Sequence, residues 1–256
     1  MHIRTEKLFV ILVFLMLAVG LAACGGSTEE EPAEQEVAPT QVEEAVPTQA
    51  EQQEEPATPV VESAPTEAAP SIKELPEVVM NYFTGTPVSY FVISDYDQSW
   101  AQIGWGQYTS IEDPPTNFVI RTDANWSSAS DTANWDQSGC GFVFHAKDTS
   151  NLFISYLGLD GSVYVQRLYN GENKILGSVN YGKVDIPEGS AEIMLMVNGD
   201  KIYFFVNGEE VYSGSDSLLT GALDSGDLAF ILMSGTNKDF GTRCQMKNTD
   251  LWDLGK

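Results

Sequence analysis

Beyond residue 116 the apolar positions fall into short runs rather than helical stripes. Residues 117–123, 141–146, 152–159, 162–169, 191–197, 201–206, 209–212, 227–233 and 242–251 are rich in aromatic and β-branched side chains and are separated by turn chemistry, which predicts strands. Four separators, Asp160-Gly161, Asn170-Gly171, Asn198-Gly199 and Asn207-Gly208, tolerate positive φ at the tip of a tight hairpin, so an antiparallel meander is expected. Only residues 72–83 leave room for a turn or two of helix. So many strands in a segment long enough for one full core predict an all-β fold of two packed antiparallel sheets, a jelly-roll sandwich spanning 72–256.

The chain before residue 72 follows other patterns. Arg4 and Lys7 precede an almost unbroken apolar run over residues 8–19, and small residues lead into Cys24, which is the anatomy of a signal peptide. The run falls short of the ~20 residues a helix needs to cross a bilayer. Leu21-Ala22-Ala23-Cys24 resembles the signal of bacterial lipoproteins. That resemblance implies removal of residues 1–23, a diacylglycerol thioether on Cys24, and an extracytoplasmic protein anchored by lipid to the bacterial membrane or cell surface. Two or more acyl chains, at about 0.8 kcal/mol per buried methylene, hold a protein stably where one does so marginally. An ordinary secretory signal with an incidental cysteine is the competing reading.

Residues 24–71 are dominated by Glu, Gln, Pro, Ala, Thr and Val, with no Lys, Arg or aromatic residue. Such a composition cannot bury enough apolar surface to offset its ordering entropy, which predicts a disordered tether. The whole chain carries a net charge of −24, and residues 72–256 alone hold 24 acids against 11 bases. Nucleic acid, which requires a basic face, is excluded as a partner. An anionic lipid surface is repelled too, so membrane attachment falls to the lipid on Cys24.

With Cys24 assigned to lipid, Cys140 and Cys244 form an even pair in an oxidising compartment. A bridge between them closes a loop of about a hundred residues and contributes roughly 4–5 kcal/mol in the chain-entropy model. Two free thiols are the alternative in a reducing setting.

The runs around Cys140-Gly141-Phe142-Val143-Phe144-His145, Asn151 to Tyr156 and Asp160 to Tyr164, with Val197-Asn198-Gly199-Asp200, Phe205 to Val211, Gly226-Asp227-Leu228 and Asp250-Leu251-Trp252, resemble the concanavalin A-like lectin and glucanase jelly rolls. The nearer likeness is to the laminin-G-like branch beside the 3-keto-disaccharide hydrolases. The resemblance implies a fold more than a function, since this architecture hosts lectins, hydrolases and adhesion modules. His145 stands where relatives often carry Arg.

Chemistry is sparse. The closely spaced Glu-x-Asp-x-x-Glu run of the glucanases is missing, and no Gly-x-Ser-x-Gly elbow accompanies His145. Asp95 and Asp97 share a strand face and are the candidate pair for calcium. No other cofactor is implied. Aromatic rings in polar loops suit the apolar faces of sugars, and Trp105, Trp126 and Trp135 sit in such loops, the last two in the echoing pair Ala124-Asn125-Trp126 and Ala133-Asn134-Trp135. Tyr156 and Arg167, on neighbouring hairpin strands, and His145 complete the candidate ligand surface. Together these features suggest a non-catalytic, lipid-anchored module for a glycan or surface polymer. A glycoside hydrolase of the same superfamily and a protein-interaction domain are the alternatives.

Overall fold

Two antiparallel sheets pack face to face in the computed structural model of the chain, which describes residues 72–256. Cys24, the signal and the tether lie outside the described residues. The strands are β1 (Ser89–Ile93), β2 (Tyr96–Trp100), β3 (Trp105–Ile111), β4 (Phe118–Ser128), β5 (Gly139–Asp148), β6 (Asn151–Gly158), β7 (Ser162–Tyr169), β8 (Glu172–Asn180), β9 (Glu188–Asn198), β10 (Lys201–Val206), β11 (Glu209–Ser215), β12 (Asp227–Ser234) and β13 (Thr242–Asp253). The first sheet runs β1-β13-β4-β9-β10-β11, with β2 also paired to β13. The second runs β3-β12-β5-β6-β7-β8. This is the expected jelly-roll sandwich.

The four Gly-containing dipeptides do mark hairpins. Asn170 and Gly171 (φ 53° and 78°), and Asn207 and Gly208 (φ 50° and 78°), take the left-handed conformation at both tip positions that a type I′ turn requires. The hairpins do not form one meander, however. β5 to β8 fold up and down in the second sheet, the chain crosses through residues 181–187, and β9 to β11 continue in the first. Four strands carry too little pattern to be expected from sequence. β1, β2, β3 and β8 all lie at sheet edges, where a strand has one ladder partner and little buried surface; β8 buries none of its nine residues fully.

Phe118, Ile120 and Trp126 of β4 meet Phe142 and Phe144 of β5, Phe153 and Leu157 of β6, and Phe204 and Phe230 between the sheets. Cys140 on β5 and Cys244 on β13 are joined by a disulfide that ties the second sheet to the first. A second apolar cluster lies on the outer face of the first sheet. There Val119, Met194, Met196, Phe205 and Trp252 are covered by the segment before β1, including Leu75, Val78, Val79, Tyr82 and Phe83 around a 3-10 helix at Glu77–Asn81. Full burial of each such side chain contributes about 1.5–3 kcal/mol. The strap is pinned by polar contacts as well: the Trp252 indole donates to the Lys73 carbonyl (2.8 Å), and Lys73 Nζ reaches Asp250 (2.7 Å).

Candidate functional site

The residues singled out by sequence are dispersed, and several are unavailable to a ligand. Trp126 is only 4% exposed; its ring is packed in the inter-sheet core and its Nε1 donates to the Asp185 carbonyl (2.9 Å), so no ring face is free for stacking. His145 is 2% exposed, with Nδ1 facing the Leu223 carbonyl (2.6 Å) and Nε2 facing that of Thr116 (2.9 Å). Both ring nitrogens are engaged by main chain, and the imidazole links two loops rather than facing a ligand.

Tyr156 and Arg167 do not share a groove. Tyr156 pairs with Tyr164 across β6 and β7, stacks on it on the outer face of the second sheet, and donates to the Asp136 carbonyl. Arg167 pairs with Phe153, points the opposite way into the sandwich and binds Asp216 (2.6 Å). Trp135 is half-buried against the core. Trp105, at the start of β3, is 63% exposed and alone keeps the open ring expected of the tryptophans. Asp97 lies on β2, but its carboxylate is occupied by Arg243 and Gln245 rather than turned toward Asp95. Among the described residues no group of three or more His, Cys, Asp or Glu side chains is placed to hold a metal.

What the fold does assemble is a polar grid on the first sheet. Register places Ser99, Arg243, Ser127 and Glu188 side by side across β2, β13, β4 and β9. Two residues further along, Asp97, Gln245, Asn125 and Ser190 form a parallel row. Between the rows, Cys244 and Trp126 point into the core, so alternation along β13 and β4 sends the polar side chains of the grid outward. At ordinary strand spacings the grid covers about 14 by 7 Å.

Two depressions open on this grid. One, of about 600 Å³, is lined by Asp97, Gln98, Ser99, Ser127, Glu188, Phe240 and Arg243. The other, of about 450 Å³, shares Ser127, Glu188 and Arg243 and adds Asn125, Ser190 and Gln245 over Trp126 and Gly189. A Cβ on Gly189 would lie 2.8 Å from the Trp126 ring, which is why glycine stands at this point of the floor. Phe240, 44% exposed on the loop before β13, supplies an apolar wall. That loop is tied to the β2–β3 loop by the Ile103 N–H, which donates to Asn237 Oδ1 (2.7 Å).

Electrostatics in the groove centre on one fork. Arg243 Nε and one terminal nitrogen donate to the two oxygens of Asp97 (2.7 and 2.6 Å), and Gln245 Nε2 adds a third bond (2.8 Å). The guanidinium first, and the amide second, hold the Asp97 carboxyl down at about 2. Its partner Arg243 is raised by the same contact. Sequence reasoning missed Arg243, Gln245, Glu188 and Phe240. The available signal was the strict alternation of Thr242-Arg243-Cys244-Gln245-Met246 and Ala124-Asn125-Trp126-Ser127, which marks a strand half with one open face.

No family model matches the chain, and no curated protein matches it by sequence. Solved structures to which the chain is similar include the carbohydrate-binding module CBM66 from Bacillus subtilis, at 11% identity and TM-score 0.46 over 66% of this chain and 98% of that one. Sheep galectin-11 aligns at 16% identity and TM-score 0.39, covering 59% and 98%. A GH43 protein from Bacillus licheniformis aligns at 14% identity and TM-score 0.41 over 54% of this chain, which spans 28% of that longer protein. At these identities and scores the likenesses carry nothing about ligand or chemistry.

Proposed function

We propose that this chain is a lipid-anchored extracytoplasmic protein whose β-sandwich binds carbohydrate without cleaving it, in the groove across β2, β13, β4 and β9. The observation that carries the reading is the composition of one depression: hydroxyl, amide, carboxylate and guanidinium groups facing the exposed ring of Phe240. Hydroxyl-rich ligands need closely spaced donors and acceptors together with an apolar surface for the C–H face of the ring. The same chemistry argues against turnover. A glycosidase needs one carboxyl that carries a proton to the leaving group, and Asp97 is held ionised by Arg243. The other acid, Glu188, stands three strands away from Asp97, about 14 Å at ordinary strand spacings, too far for the two carboxyls to flank one glycosidic bond.

The test is a glycan array probed with the purified full chain, followed by affinity measurement on the best ligand. Phe240→Ala is expected to weaken binding about tenfold or more, the scale of a lost stacking contact, and Trp105→Ala, outside both depressions, to leave it unchanged. A polysaccharide shortened by the wild-type chain but not by Glu188→Gln would replace the binding reading with a hydrolytic one. The anchor rests on sequence and has its own assay. Radiolabelled palmitate is expected to enter the wild-type chain in a bacterial host and not Cys24→Ala, which would move to the soluble fraction.

A further inference from the structure

We propose that the groove admits uncharged polyhydroxyl ligands and excludes anionic polymers, because Asp97 neutralises Arg243 and Glu188 adds a second carboxylate to the same lining. The inference rests on the reading of the groove as a carbohydrate site and names the class of carbohydrate it takes. Of the residues lining the two depressions, Arg243 is the only cation, set against Asp97 and Glu188. A guanidinium has five N–H groups in a fixed fork, and two are given to Asp97. Three are left to donate to hydroxyl oxygens from a group whose charge is already met.

A uronate or sulfate entering the same space would have to displace Asp97 from a two-point contact that is already formed within the chain. It would also approach Glu188 at like charge, which disfavours the wrong partner by its position alone. Lys247 does not rescue the anion. It follows Gln245 on the outward side of β13 but faces Asp123 across the ladder and is outside both depressions. With its carboxyl held down at about 2 by the Arg243 fork, Asp97 is ionised at both pH 5 and pH 8 and should neutralise Arg243 equally at either.

The experiment is affinity electrophoresis of the full chain against dextran, laminarin, galactomannan and polygalacturonate. The variants are Asp97→Asn, Asp97→Asn with Glu188→Gln, and that pair with Arg243→Gln. Wild type is expected to be retarded by at least one neutral polymer and not by polygalacturonate. Freeing Arg243 in the double variant is expected to raise polygalacturonate affinity about tenfold or more, in a manner weakened by salt and abolished by Arg243→Gln. Asp97→Ser with Glu188→Gln serves as the second version if the melting temperature of the amide variant falls. Wild-type retardation by polygalacturonate would overturn the proposal, as would a folded double variant that gains nothing. The polygalacturonate gain depends only on release of Arg243, so it reads out even if no neutral polymer binds; that separate result would count against the carbohydrate reading itself.

Discussion

β4, β9 and β13 each run from one environment into another along the outer face of the first sheet. At one end their outward residues are Val119, Met194, Met196 and Trp252, sealed under the strap before β1. At the other they are Asn125, Ser127, Glu188, Ser190, Arg243 and Gln245, open to solvent. Between the two halves lies an ionic seam in which Asp250 binds Lys73, Arg121 and Tyr90, and Arg121 approaches Glu192. The halves share the strands β4, β9 and β13 and differ in the side chains these present outward and in their flanking strands, β1 and β10 at the covered end and β2 at the open one. What it teaches is a division of labour: one half is closed by apolar packing and serves stability, while the other is free to serve recognition because its anchorage lies beneath it, in the Cys140–Cys244 bridge.

The largest expected effect tests that anchorage. Replacing Cys140 and Cys244 together by Ala removes a crosslink over 104 residues, and the chain-entropy model puts the loss at about 4–5 kcal/mol. Hydrogen exchange should then quicken more over residues 242–246, under the groove, than over 250–254, under the strap. Equal quickening at both ends would mean that the bridge serves the sandwich as a whole and that the two halves are not separately supported.

A step smaller is Trp252→Ala, aimed at the covered half. Deleting this fully buried ring removes its packing, its bond to the Lys73 carbonyl and the surface on which Arg121 lies, and about 3–5 kcal/mol of stability is expected to go with it in urea denaturation. Ligand affinity of the remaining folded protein should stay within about twofold, because every groove residue belongs to the other end of the sheet. A parallel loss of affinity would break the separation.

The division between the halves is partly legible in the amino-acid sequence. In β9, Glu188-Gly189-Ser190-Ala191-Glu192 is followed by Ile193-Met194-Leu195-Met196-Val197, and β4 begins with Phe118-Val119-Ile120 and then alternates. Continuous apolar runs belong to strand segments covered on both faces, and alternation to segments covered on one. The central strands and hairpins are visible for the same reason. Two things are not. Edge strands such as β8 bury too little to leave a pattern. The grid depends on register between strands far apart in sequence, so Asp97 and Arg243, separated by 146 residues, give no local sign of each other. The tryptophan echo misleads because Trp126 occupies an inward position of an alternating strand and Trp135 opens a short 3-10 helix (Trp135–Gln137), two places that a shared tripeptide cannot tell apart.

The smallest expected effect lies on the seam, and it depends on pH with a sign that can be worked out. Burial alone would push the Asp250 carboxyl up; hydrogen bonds from Lys73, Tyr90 and Arg121, with the charge of Arg121, outweigh it and hold the group below the usual carboxylate range. A carboxyl whose folded pKa is depressed binds fewer protons in the native state than in the unfolded one. Its stabilisation is therefore complete above the unfolded value of about 3.9 and is lost as pH falls through the folded value. Asp250→Asn keeps the shape and removes that titration, at an expected cost of about 1–3 kcal/mol at pH 7 for the charge-assisted bonds it weakens. The gap in urea midpoint between wild type and variant should be constant from pH 7 to about 5 and should close as the pH is lowered toward 2. Because Lys73 belongs to the strap and Arg121 to the sheet, loss of the Asp250 charge should loosen the strap while leaving the groove, whose lining does not include Asp250, in place. Proteolysis of Asp250→Asn at pH 7 that cuts the strap and the groove loops at the same rate would show instead that the seam does not separate the two halves.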